Sequence, residues 1–224
     1  NGAKFNGAYL EATNISSSYL NDAEFDRAYM RRICLRNSSL VGACICEASL
    51  VGANLIDANL SEANLSSSDM SEARIASANL HNVRAKGVIF AFTNLTYADL
   101  SNADLSRSNL ISTMLVHANL AKANLSGANM QDAYAYGAYL AGANLSGAYL
   151  SGIHLNDSNI SYANFVNADL TNADLNGANL LGTELKGARL VAADLTQADI
   201  QNTSLSDARL MNAKLNWAKM DNSL

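Results

Sequence analysis

The side chains best equipped for chemistry in this 224-residue chain are few: His81, His117 and His154; Cys34, Cys44 and Cys46; and neighbouring carboxylates such as Asp99 with Asp104 and Asp169 with Asp174. Nucleophilic catalysis needs a His in reach of a Ser or Cys and held by a carboxylate. The three His are 36, 37 and 73 residues apart, and spacing pairs none of them with another His or with such a Ser or Cys. They read as solvated surface residues. The cysteines form no CxxC, and the ACIC stretch offers too few soft ligands for tetrahedral zinc; free thiols in a reducing compartment, the cytoplasm, are expected. Carboxylate pairs do acid and base work only where a pocket drives their pKa values apart, and these would sit on successive sides of an exposed surface. The SGA and NGA segments lack the Lys and the strand-to-helix setting of a phosphate loop. The expectation is a protein that is not an enzyme, with no catalytic residue, no cofactor and no metal.

What positions these residues is a period of five. Of the 44 positions from Phe5 to Met220 that are multiples of five, 29 are Leu and the others are Ile, Phe, Met and two Ala, Ala85 and Ala135. In the column two places earlier, from Ala3 to Ser223, Ala stands in 30 of 45 cases, the others are Ser, Thr, Val or Ile, and none is charged. Leu170, Ala173, Leu175, Ala178 and Leu180 show the pattern at its plainest. Neither the 3.6-residue helical period nor the 2-residue strand period produces it. All 35 charged residues, the His, the Cys and Trp217 occupy the other three columns, as a solvent-facing surface would. All 13 Gly share one column, two places after the large residue, which locates a tight bend. Pro is absent, so backbone donors are needed almost everywhere. These features describe a coil that turns a corner once per pentad and stacks on itself, piling inward side chains into a shaft.

The triplets Ala173-Asp174-Leu175, Ala178-Asn179-Leu180 and Ala148-Tyr149-Leu150 resemble the pentapeptide-repeat family, with its A(D/N)LXX tandem repeats, and the resemblance spans the chain. It implies an all-β protein, a right-handed quadrilateral parallel β-helix with 20 residues to a coil, and a single domain over residues 1–224 of about 11 coils, a rod ~50 Å long. Ala85 and Ala135 depart from the pattern. Val83, Val88 and Phe90 stand ready to fill part of the first gap; Ile89 and Phe92 are either a second contact surface or a local compensation for Ala85, and nothing in the sequence fills the gap at Ala135. Relatives often close an end with a helix, whereas this sequence is still in register at Asp221-Asn222-Ser223-Leu224. Its opening, NGAKF, lacks a Met and is already in register. Together these lead us to expect a fragment of a longer, bacterial protein, whose upstream segment could have carried an anchor or secretion signal, and end-to-end self-association if the apolar ends stay uncapped.

A net charge of −5 and a pI near 5.1 argue against binding nucleic acid through its phosphates, although Lys4, Arg27, Arg31, Arg32 and Arg36 form a local basic island. No run reaches the roughly 18 apolar residues of a membrane span, so no membrane insertion by this segment is expected. With 20-residue coils, residues 20 apart lie over one another. This stacks Met114, Tyr134 and His154 in one outward column, Val116 and Tyr136 beside it, and Tyr97 with His117 next to those: a candidate protein-docking patch. The leading expectation is a protein-interaction scaffold whose partner is another protein. The alternatives are a DNA-mimic protector of a type II topoisomerase, which the gyrase-protecting branch of the family prompts, and the repeat domain of a membrane-anchored protein or secreted effector.

Overall fold

The computed structural model describes residues 1–221; the pentad register expected at Asn222, Ser223 and Leu224 lies outside the described residues. Counting the small inward residue as position 3 and the large one as position 5, positions 1 and 2 are the central residues of a β-turn. Its closing bond runs from the position-3 N–H to the preceding position-5 carbonyl, as from Ala178 to Leu175 at 3.0 Å. The second central residue is left-handed at every corner, with φ between +52° and +70° from Gly2 to Trp217. The glycine column therefore marks the bend, yet 31 of these residues are not Gly and hold a conformation L side chains disfavour. The surrounding ladder over-determines them.

Position-4 residues form parallel bridges, each joining a residue to the one 20 further on, from Lys4 with Glu24 to Asp199 with Lys219, so that an interior residue bridges the coils on both sides. Four such chains of bridges make four walls, begun by Lys4, Tyr9, Asn14 and Tyr19 and called here walls one to four. The amide of position 4 donates to the coil before, as from Glu24 to Ala3 O at 2.9 Å. Those of positions 5 and 2 donate to the coil after, as from Phe5 to Glu24 O at 2.7 Å and from Gly2 to Asn21 O at 2.8 Å. Four of the five amides in a pentad are thus committed to the backbone, which accounts for the missing Pro. The position-1 amide alone is left for another acceptor.

Positions 3 and 5 fill the shaft. Leu170, Ala173, Leu175, Ala178 and Leu180 are all at most 1% exposed, as foreseen. Hydroxyls in the small column bond to main-chain carbonyls, Ser68 to Leu65 O at 2.7 Å and Thr93 to Met70 O at 2.8 Å among them, so no polar atom is stranded there. Val83, Val88 and Phe90 are buried with Ala85. Ile89 and Phe92 are not: both point out of the shaft, Phe92 to 64% exposure, and cannot fill that gap. Ala135 is itself fully buried. The bulky Ile153 occupies the small column of the next coil, fully buried, and its neighbour His154 exchanges ladder bonds with Ala133 and Ala135. At the two ends Phe5, Leu10, Ile15, Leu205, Leu210 and Leu215 are only partly covered, with Phe5 stacked on Phe25 at 4.9 Å.

Candidate interaction face

The chemistry of the surface begins with the position-1 amide left over by the ladder. Asn or Asp at position 4 supplies its acceptor: Asn54 Oδ1 takes the Ile56 N–H at 3.3 Å, Asp174 that of Asn176 at 3.1 Å, Asn179 that of Leu181 at 3.0 Å. All 21 Asn and Asp at position 4 make this Asx turn. Asp99, Asp104, Asp169 and Asp174 are among them, so these carboxylates are turn acceptors rather than acid/base pairs.

On wall three, three successive coils abandon the rule with Met114, Tyr134 and His154. Among the described residues the amides of Val116, Tyr136 and Asn156, which an Asx residue would cap, find no protein acceptor; the same is true of Ala91 after Ile89 and Ser151 after Tyr149, whereas Asp26, one coil below, caps Cys46 N at 3.1 Å. In exchange the wall gains rings. Tyr134 stacks on His154 at 5.0 Å with the planes 4° apart, Tyr97 stacks on His117 at 5.3 Å, and Tyr136 meets His117 edge-on at 5.4 Å. Tyr97 is 63% exposed and Met114, Tyr134 and Tyr136 between 41% and 49%; His117 and His154 are exposed and Val116 half-buried. The structure thus brings together the residues that 20-residue spacing placed together, on wall three and the corner it shares with wall four. Tyr139 on wall four and Phe92 at the opposite corner enlarge the exposed apolar surface. At the foot of the patch, beside Tyr97, Thr96 Oγ1 is buried with no partner among the described residues.

Elsewhere the candidates resolve into structure. His81, unpaired by histidine spacing, is paired: Ser101 lies one coil above it, with Oγ 2.8 Å from His81 Nδ1, and the same hydroxyl donates to Asp99 Oδ1 at 2.6 Å. A comparison of each His with position +20, and not only with the other His, would have found it. The order is wrong for a nucleophile, because the Ser proton goes to the carboxylate and the imidazole is not between them. Ser71 with Asp69 and Ser161 with Asn159 repeat the hydroxyl bond without a His. Burial, with the Asp26 carboxylate second, pushes the Cys46 thiol up to about 11; the three cysteines are free thiols, and no metal-binding cluster of His, Cys, Asp and Glu occurs among the described residues. The basic island largely neutralises itself: Lys4 pairs with Glu24, Arg27 with Glu47 and Arg36 with Asp57, leaving Arg31 and Arg32 at one corner. A shallow depression lined by Asn6, Gly7, Asp26, Arg27, Cys46 and Glu47 has its polar groups turned on one another, Arg27 Nε donating to Glu47 at 2.9 Å. No helix among the described residues is long and apolar enough to cross a membrane.

Comparison with known proteins agrees with the coil. No curated protein matches the chain. Among solved structures it is similar to HetL of the cyanobacterium Nostoc sp. strain PCC 7120, involved in heterocyst differentiation regulation, at 28% identity over 96% of this chain and 91% of that one, with a TM-score of 0.42. It is similar to Rfr23 of the cyanobacterium Cyanothece 51142 at 32% identity over 47% of this chain and 63% of that one, TM-score 0.26. QnrB1, a plasmid-mediated fluoroquinolone resistance protein, is 19% identical over 95% and 91% of the two chains, TM-score 0.42. The pentapeptide-repeat pattern itself matches in 8 copies, over residues 3–42, 38–75, 48–84, 73–110, 114–152, 153–190 and 188–224. With the repeat matched along the chain and its bridges running from coil to coil, this protein belongs to the pentapeptide-repeat family of β-helix solenoids.

Proposed function

We propose that the chain is a non-enzymatic docking module, a single domain over residues 1–224 of about 11 right-handed square coils, which binds a protein partner through Tyr97, Met114, Val116, His117, Tyr134, Tyr136 and His154. One observation carries the reading. Met114, Tyr134 and His154 give up the turn bond that every position-4 Asn and Asp makes and spend the positions on exposed side chains, two of them stacked rings. Other position-4 residues, Ile89 and Tyr149 among them, also lack the turn bond; what singles out this face is the gathering of the exposed rings of Tyr97, His117, Tyr134, Tyr136 and His154, and tyrosines supply contact area at little entropic cost. On wall two, Tyr149 has no ring partner among the described residues and Tyr9 stacks on Tyr29 at 4.6 Å, but neither is joined by rings from an adjoining corner as Tyr134 and His154 are. The test is affinity capture from the native host with wild-type chain and a Tyr134→Ser/Tyr136→Ser variant of unchanged circular dichroism. The variant should lose the partners that wild type retains, and identical partner sets would contradict the assignment.

A second reading, topoisomerase protection by imitation of DNA, is favoured only by the net charge of −5. Against it, the position-4 Asp residues are engaged in turns, and Arg84, Arg189 and Arg209 interrupt the acids on walls one and two. A gyrase supercoiling assay with and without quinolone should show no effect of the chain.

A further inference from the structure

We infer that the segment docking on wall three is cationic, a stretch of protein presenting Lys or Arg side chains to the tyrosines; this rests on the docking reading above. The basis is where charge falls around the rings. Wall three, wall four and the two corners that flank wall three are built over five coils from residues 91–99, 111–119, 131–139, 151–159 and 171–179, with Lys122 beyond them on the far corner of wall four. Those segments contain Asp99, Asp132, Asp157 and Asp174 and not one Lys or Arg, in a chain with 15. None of the four carboxylates takes part in an ion pair among the described residues. The contrast with neighbouring surface is sharp: on the same wall two coils further on, Asp194 meets Lys214 at 3.0 Å, and on wall four Asp199 meets Lys219 at 3.8 Å.

The arrangement is an aromatic centre with an unneutralised acidic rim. Asp132 flanks Tyr134 from one corner, Asp157 stands one coil above Tyr136 and Gly137 at the other, Asp174 follows His154 up the wall, and Asp99 lies beside Tyr97. Tyrosine faces attract guanidinium and ammonium groups, Arg most of all. A rim of one sign steers and selects the opposite charge while adding little affinity by itself, so both parts are required. An anionic segment or nucleic acid would meet four like charges, and a purely apolar one would leave their charge unneutralised. The amides of Val116, Tyr136 and Asn156 face the same surface uncapped and offer the occupant's backbone carbonyls a donor.

The experiment uses the full chain and three labelled 12-residue peptides of one design, with Arg and Lys, with Gln, or with Glu at alternate positions, read by fluorescence anisotropy. The basic peptide should bind at least about 10-fold more tightly than the Gln peptide, with affinity falling as salt rises, and the Glu peptide should not bind. Tyr97→Ser/Tyr134→Ser/Tyr136→Ser should weaken the basic peptide about 10-fold. Asp132→Asn/Asp157→Asn/Asp174→Asn should weaken it and flatten the salt dependence; Asn keeps the Asx acceptor at 174 and tolerates the left-handed corners at 132 and 157, so this variant stays folded. Glu62→Gln/Asp207→Asn, which removes two carboxylates from other corners, should leave binding unchanged. Equal binding of the basic and Gln peptides, or equal weakening by the two carboxylate variants, overturns the cationic occupant. If the Tyr134→Ser/Tyr136→Ser variant nevertheless loses its captured partners, the docking face stands and only its occupant is wrong.

Discussion

Gly137 shows how tightly one coil seats on the next. A methyl group built there would lie 2.6 Å from Cε1 and Nδ1 of His117, the ring that stacks on Tyr97 and meets Tyr136. Gly147, also left-handed, has nothing within 4 Å. Both Gly→Ala changes carry the strain of a positive φ, about 1 kcal/mol or more, and the difference between them isolates the imidazole contact. Gly137→Ala should remove the ring-current shift of the His117 Hε1 resonance and cost more stability than Gly147→Ala, which should leave that shift in place; equal effects would contradict the packing. At this scale spacing read the columns well, because residues 20 apart must stack. Ring angles, and the Asx bond itself, were not legible. That bond follows only once it is known which amide the ladder leaves free. The His81–Ser101–Asp99 chain was within reach of the same arithmetic, and spacing among the His alone could not find it.

At the scale of the coil, the two inward columns do different work. Leu175 fills the shaft and Ala173 sits where the wall leaves no volume, each at most 1% exposed. Leu175→Ala should therefore destabilise by about 2–5 kcal/mol through the void it leaves, and Ala173→Leu by about 1–3 kcal/mol through overpacking, both measured by denaturant unfolding. An Ala173→Leu variant as stable as wild type would show that the small column is a matter of composition rather than space. The pentad fixed these roles in advance because one side chain in each column repeats nearly unbroken. It did not show how the coil accommodates Ala135, which is fully buried and tied to the coil after it through bonds such as those of His154 with Ala133 and Ala135.

For the whole molecule, stability is a sum over coils and their contacts with neighbours, so a surface departure on one wall shows directly in the unfolding of the rod. Met114, Tyr134 and His154 leave three turn amides uncapped. Restoring Asn at all three adds three bonds worth about 0.5–1.5 kcal/mol each, and removes one exposed ring stack worth about 0.5–1.5 kcal/mol. The balance favours the variant. Thermal unfolding of Met114→Asn/Tyr134→Asn/His154→Asn beside wild type therefore tests the central claim, that this wall sacrifices structural fit for recognition. The account predicts a midpoint a few degrees above wild type, together with loss of partner capture; a midpoint at or below wild type would show that these side chains hold the wall together and contradict it.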